Sequence, residues 1–238
     1  MAQADWAAVT NPLASGDCRE GVSMAPSFEP PEGDFVYFFN RIAGTVAGVA
    51  AKRVNLANFN PTAYGKGGSL WCCMRRWGSG LTGMYPFLAF VDSLDVTVAK
   101  GYILALTNES ASRLILKKGG LSGNLLSNDT GMLRLSDLAY NNKWVNARLD
   151  LIVNPQGDAV LNVYENDLDS HAPGAEVWTP VDGMDMYVDD SGGILTGSVP
   201  TLGTTPNGYY LVYGVYSTGQ LLRACMFDYI KVRRQLTP

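Results

Sequence analysis

The chain has 238 residues, of which 47% are hydrophobic and 17% are charged. These fractions supply a sizeable core and exclude a disordered chain. The formal net charge of −4 lacks the concentrated positive charge of a nucleic-acid-binding protein. The first residues lack the basic and apolar parts of a secretory signal, and the longest small-apolar run, Ile42–Ala51, is too short to span a bilayer. We therefore expect a soluble protein with no signal peptide and with no nucleic-acid or membrane partner.

The N-terminal segment differs in composition from the remainder of the chain. Thr10–Gly33 is rich in Pro, Gly and Ser, and proline cannot donate a ladder hydrogen bond, so we expect an extended arm without strand pairing. Ala2–Val9 fits one short helical turn. We therefore divide the chain into an arm, residues 1–33, and a domain, residues 34–238.

From Asp34 onward, short apolar runs alternate with turns rich in Gly, Asn and Asp. The clearest pattern is Arg148–Tyr164, in which apolar and polar residues alternate on both sides of a turn at Asn154–Asp158, as in a hairpin with one face against a core. Ile42–Val54 fits either a strand pair or a short helix. The other predicted strands are Phe35–Asn40, Ser69–Trp77 and Met84–Val91. Two further hairpins are predicted: Tyr102–Thr107 with Arg113–Lys118 (Leu114 and Leu116 inward, Ile115 outward), and Tyr209–Tyr216 with Gln220–Arg233, joined at Ser217-Thr218-Gly219.

Strands at intervals of about ten residues predict a sandwich of two antiparallel sheets. The order of elements resembles the concanavalin A-like, laminin G-like jelly roll. The resemblance covers Phe35 to Arg234 and rests on Leu114–Gly119, on Trp144 before the Arg148 strand, and on the closing Phe227-Asp228-x-Ile230-x-Val232. Strict alternation would point Asp228 inward beside Ile230 and Val232. Either a bulge near Asp228 returns Phe227 to the core, or Asp228 is buried against a partner.

The cysteines fit buried, reduced thiols rather than disulfides. Cys72 and Cys73 are adjacent, so on a strand they point to opposite faces, and Cys18 and Cys225 are distant in sequence. His171 is the only histidine, which leaves no zinc-ligand pattern. We expect no cofactor.

Three sets of residues are candidates for chemistry or binding. Glu165, Asp167 and Asp169 lie at i, i+2 and i+4, as the nucleophile and acid of a retaining glycosidase would on one strand, and they resemble the Glu-x-Asp-x-Glu strand of jelly-roll glucanases. The alternative is a strand end running into a loop, which we favour. Asp182, Asp185, Asp189 and Asp190 supply oxygens that suit Ca²⁺, although a solvated acidic loop explains them better.

The third set is Trp71, Arg76 and Trp77, which place aromatic rings and a cation on one predicted strand. Rings that are exposed there would stack on sugars or contact proteins, whereas a core position for Trp71 would serve packing alone. These two interpretations stay open.

Three functions fit the sequence. The first, which we favour, is a non-catalytic structural protein, because jelly rolls with proline-rich leaders, no export signal and no catalytic residues are similar to components of bacteriophage virions (head decoration, neck or tail parts). It would use the rigid sandwich and the N-terminal arm, residues 1–33, for contacts with itself, as a homo-oligomer, and with other virion proteins, and it would be made in the host cytoplasm. The second is a glycan-binding module. The third is a jelly-roll glycoside hydrolase or lyase.

Overall fold

The computed structural model describes residues 6–8, 18–24, 35–41, 47–54, 67–77, 83–91, 93, 95, 99–106, 113–121, 132–135, 144–156, 158–166, 177–189, 210–218 and 223–235. These ranges contain fifteen strands and no helix, and hence no helix that is long and apolar enough to cross a membrane. The strands are β1 Trp6–Ala8, β2 Cys18–Met24, β3 Phe35–Arg41, β4 Gly48–Val54, β5 Gly67–Trp77, β6 Met84–Val91, β7 Lys100–Leu106, β8 Leu114–Gly120, β9 Met132–Leu135, β10 Val145–Val153, β11 Ala159–Asn166, β12 Trp178–Pro180, β13 Tyr187–Asp189, β14 Tyr210–Ser217 and β15 Arg223–Gln235.

The strands form two antiparallel sheets. One has seven strands in the order β1-β4-β14-β6-β7-β8-β9. The other has eight, in the order β12-β11-β10-β5-β15-β3-β2, with β13 also paired to β11. The main core lies between the sheets, because side chains from both contribute to one buried cluster. The protein is therefore an all-β jelly-roll sandwich, as predicted.

The two hairpins that the sequence predicts within single sheets are confirmed. β10 and β11 pair from Asn146 opposite Asn166 to Val153 opposite Ala159. The turn is closed by Asn154, whose backbone N–H donates to the Asp158 carbonyl at 3.1 Å and whose side chain contacts Asp158 twice. β7 and β8 pair in the same way, with Leu114 and Leu116 in the core between the sheets.

A bulge in β15 resolves the position of Asp228. The pairing of β15 with β5 shifts register between Phe227 and Ile230, so that both side chains enter the core, with exposures of 1% and 7%. Phe227 packs edge-on against the rings of Phe39 and Tyr213, at centroid distances of 5.9 and 5.2 Å. The bulge is the first of the two alternatives that the sequence left open.

The last two strands were predicted as consecutive partners, and that prediction is wrong. β14 lies in the seven-stranded sheet between β4 and β6, whereas β15 lies in the eight-stranded sheet between β5 and β3. Both edges of β14 already carry ladders, to β4 and to β6, so β15 has no edge of β14 to pair with. The chain after Ser217 therefore passes from one sheet to the other.

The N-terminal segment also differs from the prediction. Cys18–Met24 is a strand that pairs with β3 along its whole length, and Trp6–Ala8 is a strand paired with β4 instead of a helical turn. Proline excludes ladder pairing only where it stands, and Cys18–Met24 contains none. The rest of the predicted arm lies outside the described residues, and the boundary at residue 34 stays a prediction.

The seven-stranded sheet is apolar on both of its faces. Ile115, which the sequence places outward, is fully buried with outward neighbours such as Tyr85, Phe87 and Val212 in a second cluster. Strands buried on both faces carry continuous apolar runs, as β6 does. Among the described residues, this sheet therefore carries buried apolar clusters on both faces.

Three of the four cysteines are buried thiols outside any disulfide, as expected: Cys72, Cys73 and Cys225. Cys72 points into the core between the sheets, and Cys73 belongs to a separate cluster on the opposite face. Burial raises the pKa of the Cys72 thiol well above its usual value. The side chain of Cys18 lies outside the described residues.

Candidate functional site

The outer face of the eight-stranded sheet gathers aromatic rings around Arg148. Leu149 points into the core, so Arg148 beside it on β10 points outward. Directly paired residues share a face, and Arg148 is paired with Trp71 of β5 on one side and with Tyr164 of β11 on the other. Trp178 of β12 joins them, with its ring 6.2 Å from that of Trp71 at 76°. We call this surface, centred on Trp71, Tyr164 and Trp178, the aromatic face.

A fixed guanidinium lies at the centre of the aromatic face. Arg148 donates from Nε and Nη2 to the two carboxylate oxygens of Asp150, at 2.9 and 2.7 Å. Its guanidinium lies 4.2 Å from the ring centre of Tyr164 and 5.3 Å from that of Trp178. The side chain of Asp150 is 2% exposed and that of Arg148 is 21% exposed. The bidentate pair and the two rings therefore hold this cation in one position while leaving part of it open to solvent.

A second group of side chains extends the aromatic face along the sheet. Cys73, Met226 and Tyr229 form a buried cluster with Trp144, and Trp71 packs against it. Two cations border this cluster: Arg75 lies 6.0 Å from the ring of Trp144, and Lys231 lies 4.3 Å from the ring of Tyr229.

Two indole N–H groups on this face lack hydrogen-bond acceptors. The Nε1 atoms of Trp71 and Trp144 are both buried and make no hydrogen bond. A buried donor without an acceptor costs about 1–3 kcal/mol, and proteins satisfy most such groups. Both indoles lie on this face, with Trp144 in the buried cluster and Trp71 packed against it.

Two asparagines fix the edge strands beside the rings. The Oδ1 atom of Asn166 accepts from the backbone N–H of Val177 at 3.1 Å, and Oδ1 of Asn162 accepts from that of Met186 at 2.7 Å. The first bond anchors the residue immediately before Trp178. The second holds the backbone of Met186 in the left-handed region, at φ 50°, a conformation that residues other than glycine rarely adopt. The position of the Trp178 ring is thus set by side chains of β11.

Of the three predicted contact residues, the structure places one on the aromatic face. Trp71 is half-buried there. Arg76 points the other way: its Nε donates to the Met84 carbonyl at 3.2 Å, and its guanidinium lies 4.5 Å from the ring of Tyr85. Burial raises the pKa of Tyr85, and the charge of Arg76 opposes that shift. Trp77 ends β5, and its side chain lies outside the described residues.

The predicted carboxylate set lies only partly within the described residues. β11 ends at Asn166, and Asp167 and Asp169 lie outside the described ranges. Glu165 pairs with Ala147, a core residue, so it lies on the inner side of the sheet, opposite to the aromatic face. The single described member of the set therefore does not belong to the face that carries the rings.

The acidic segment at residues 182–190 is explained in part by turn geometry. The N–H of Met184 donates to the Val181 carbonyl at 2.9 Å, with Gly183 at φ 71°, the positive φ that a type II turn requires. Asp182 and Asp185 are exposed in and beside this turn. No group of three or more His, Cys, Asp or Glu side chains suited to a metal ion occurs among the described residues. Asp190 lies outside those residues.

Asp189 is engaged in a buried ion pair between the sheets. Its Oδ2 lies 2.5 Å from Nζ of Lys118 and accepts from the Tyr102 hydroxyl at 2.6 Å. The side chains of Lys118 and Asp189 are only 1% and 4% exposed. Asp189 comes from the eight-stranded sheet and its two partners come from the seven-stranded sheet. This carboxylate therefore links the two layers, which is a structural role that the sequence interpretation missed.

The sequence interpretation also missed Arg148, Asp150, Tyr164 and Trp178. A signal for the first three was present in the predicted hairpin, because its turn fixes a register that pairs Arg148 with Tyr164 and leaves Asp150 on the same face. Trp178 had no such signal, since its place beside β11 depends on side-chain hydrogen bonds rather than on periodicity.

No protein-family model matches this sequence, and no curated protein matches it significantly. Solved structures with similar folds include the Emp46p carbohydrate recognition domain in its potassium-bound form, at 12% identity and a TM-score of 0.44, covering 94% of this chain and 95% of that one. They also include a lectin from Bauhinia forficata in complex with GalNAc, at 7% identity and a TM-score of 0.46, covering 98% of each chain. A third is the carbohydrate esterase vb_24B_21 from Shiga toxin-encoding bacteriophage phi24B, at 16% identity and a TM-score of 0.46, covering 97% of this chain and 90% of that one. At these identities and TM-scores, none of the three says what this chain binds.

Proposed function

We propose that this protein binds glycans, without catalysis, through the aromatic face. The observation that carries the proposal is the arrangement of Trp71, Tyr164 and Trp178, three half-buried rings around the fixed guanidinium of Arg148. Sugars combine an apolar ring face with a rim of hydroxyl groups. Aromatic rings supply flat apolar area, and a cation with free N–H groups supplies hydrogen bonds to the rim.

The rigidity of the face supports binding. The Arg148–Asp150 fork and the asparagine bonds at Val177 and Met186 hold the surface in place before a ligand arrives. A surface that is already ordered loses little conformational entropy on binding, so more of the contact energy appears as affinity. A carboxyl group that acts as a general acid must exchange a proton with the substrate, whereas both oxygens of Asp150 accept hydrogen bonds from Arg148.

Replacing Tyr164 with alanine tests this proposal. The variant removes one ring and the face that packs on Arg148, so we expect polysaccharide affinity to fall about 10- to 30-fold, as for other central aromatic contacts. The measurement is isothermal titration against a panel of neutral and acidic polysaccharides. Tyr210→Ala is the matched control, because Tyr210 is also half-buried but lies on the seven-stranded sheet. Absence of binding across the panel, or equal losses for the two variants, would contradict the proposal.

A second candidate is the assembly role in a virion, favoured by the outer edge of the eight-stranded sheet. Val177, Met186 and Val188 are 68%, 69% and 41% exposed there. Pro180 and the left-handed Met186 interrupt the edge, which hinders the addition of a further strand. The contact that this edge offers is therefore one of apolar side chains against a neighbouring subunit.

Charge introduced at this edge tests the assembly role. Val177→Asp together with Val188→Asp is expected to weaken self-association at least about 10-fold, because an unpaired carboxylate would be desolvated in the contact. Light scattering over a concentration series measures the effect. Gln156→Asp, in the exposed hairpin turn, adds one negative charge away from the edge and is the matched control for Val177→Asp alone. A monomer at every concentration, or an oligomer that both charged variants retain, would count against this candidate.

A further inference from the structure

The aromatic face has more positive than negative charge, although the protein as a whole is acidic. The outward positions and the bulge of β5, β10 and β15 carry four cations and two carboxylates, an excess of two positive charges, whereas the whole chain has a formal net charge of −4. The residues are Arg75, Arg148, Lys231 and Arg233, with Asp150 and Asp228. The exposed Asp182 and Asp185 lie outside this area, in the turn of the edge strands.

The cations flank the central ring. Trp71 is paired with Arg148 on one side and with Lys231 on the other, so one row across four neighbouring strands reads Tyr164, Arg148, Trp71, Lys231. Neighbouring strands lie about 4.8 Å apart. A sugar stacked on Trp71 would therefore hold its substituents above a cation on either side.

Arg148 keeps hydrogen-bond donors available on the aromatic face. Both carboxylate oxygens of Asp150 are committed to Arg148, which uses two of its N–H groups for them and has others left to donate. A neutral sugar presents hydroxyls that both donate and accept, whereas a carboxylate only accepts, so a carboxylate is the better complement to this guanidinium, which only donates.

We infer that the ligand of the aromatic face is an acidic polysaccharide whose carboxylate groups are bound by Arg148 and Lys231. This inference rests on the proposed glycan-binding function and specifies its ligand class. Charge contributes the difference in affinity between an acidic sugar and its neutral counterpart, and the rings contribute the part that both share.

The test uses pairs of polymers that differ in charge alone: polygalacturonate with its methyl ester, and alginate with its propylene glycol ester. In low salt, we expect at least one acidic form to bind roughly 10-fold or more tightly than its ester, because charge-assisted hydrogen bonds are about twice as strong as neutral ones. This ratio should shrink when ionic strength rises from about 0.05 to about 0.5 M, since the screening length falls below the size of the face.

Lys231→Gln should reduce the ratio between acid and ester affinity by roughly 3- to 10-fold. Lys52→Gln, on the seven-stranded sheet, removes the same charge elsewhere and should leave the ratio unchanged.

Equal affinity for the acid and its ester would overturn the acidic ligand but keep glycan binding. If the protein binds none of these four polymers, the acidic ligand is overturned as well. Absence of binding to every polysaccharide, neutral ones included, overturns the proposed function itself. An oligothymidylate that binds as tightly as the acidic polymers would assign the face to single-stranded nucleic acid and also overturn the inference.

Discussion

Replacing Phe227 with alanine is expected to lower the free energy of unfolding by about 3–5 kcal/mol, the usual cost of removing a buried phenylalanine side chain. Phe227 is 1% exposed and belongs to the core between the sheets. Its ring contacts Phe39 from the same sheet and Tyr213 from the opposite sheet, so the cavity would open at the interface of the two layers. The rigid rings around it limit how far the site can collapse.

Urea unfolding followed by tryptophan fluorescence measures this change, with Phe38→Ala as the matched control. Phe38 is next to Phe39 on β3 but is half-buried on the opposite face of the sheet. We expect Phe38→Ala to cost clearly less than Phe227→Ala. A loss below about 1 kcal/mol for Phe227→Ala would mean that the closing strand is peripheral, in conflict with the bulge that directs this ring inward.

The closing strand also illustrates how far the sequence determines this fold. Alternation from Ala224 would place Asp228 in the core beside the apolar Ile230 and Val232, and that conflict left two alternatives, a bulge or an Asp228 buried against a partner, of which the structure shows the bulge. Within hairpins the turn sets the register, so the β10–β11 pairing and its inward leucines were predictable as well. Local pattern and global packing agree in these places, and the prediction succeeds there.

The sheet order was not predictable in the same way. The periodicity of β14 and β15 does not indicate that they belong to different sheets. The alternation of apolar and polar residues in each strand would suit a hairpin equally well. Sheet membership depends on which edges other strands already occupy, and those strands come from distant parts of the chain. The same limit applies to the aromatic face, which needs β5, β10, β11 and β12 side by side before Trp71, Arg148, Tyr164 and Trp178 meet.

The place of Trp71 was open in the sequence for a related reason, and its role as a contact residue stays a prediction. Exposed and buried interpretations of this ring were balanced in the sequence, and the structure supports both: the ring is half-exposed to solvent, and its Nε1 atom is buried. Arg76 was grouped with it because the two lie on one strand. They differ by five positions, however, and an odd separation on a strand places two side chains on opposite faces.

Replacing Asp189 with alanine is expected to destabilise the fold by about 3–5 kcal/mol, because it leaves the ammonium group of Lys118 in the core without its carboxylate. Lys118 is 1% exposed. The Tyr102 hydroxyl, which donates to Asp189 at 2.6 Å, would lose its acceptor in the same step. The loss therefore combines an uncompensated charge with an unsatisfied hydroxyl, both at the junction of the two sheets.

The decisive measurement is a double-mutant cycle. Replacing the pair together, with Lys118→Met and Asp189→Leu, removes both charges and keeps the apolar volume, so we expect it to recover most of the stability that Asp189→Ala loses. Urea unfolding of the wild type, of Lys118→Met, of Asp189→Leu and of the double variant gives the coupling energy. If the double variant is as unstable as Asp189→Ala, the charges are not the cause. The carboxylate would then act through the Tyr102 hydrogen bond and its shape alone, and Tyr102→Phe should reproduce the loss.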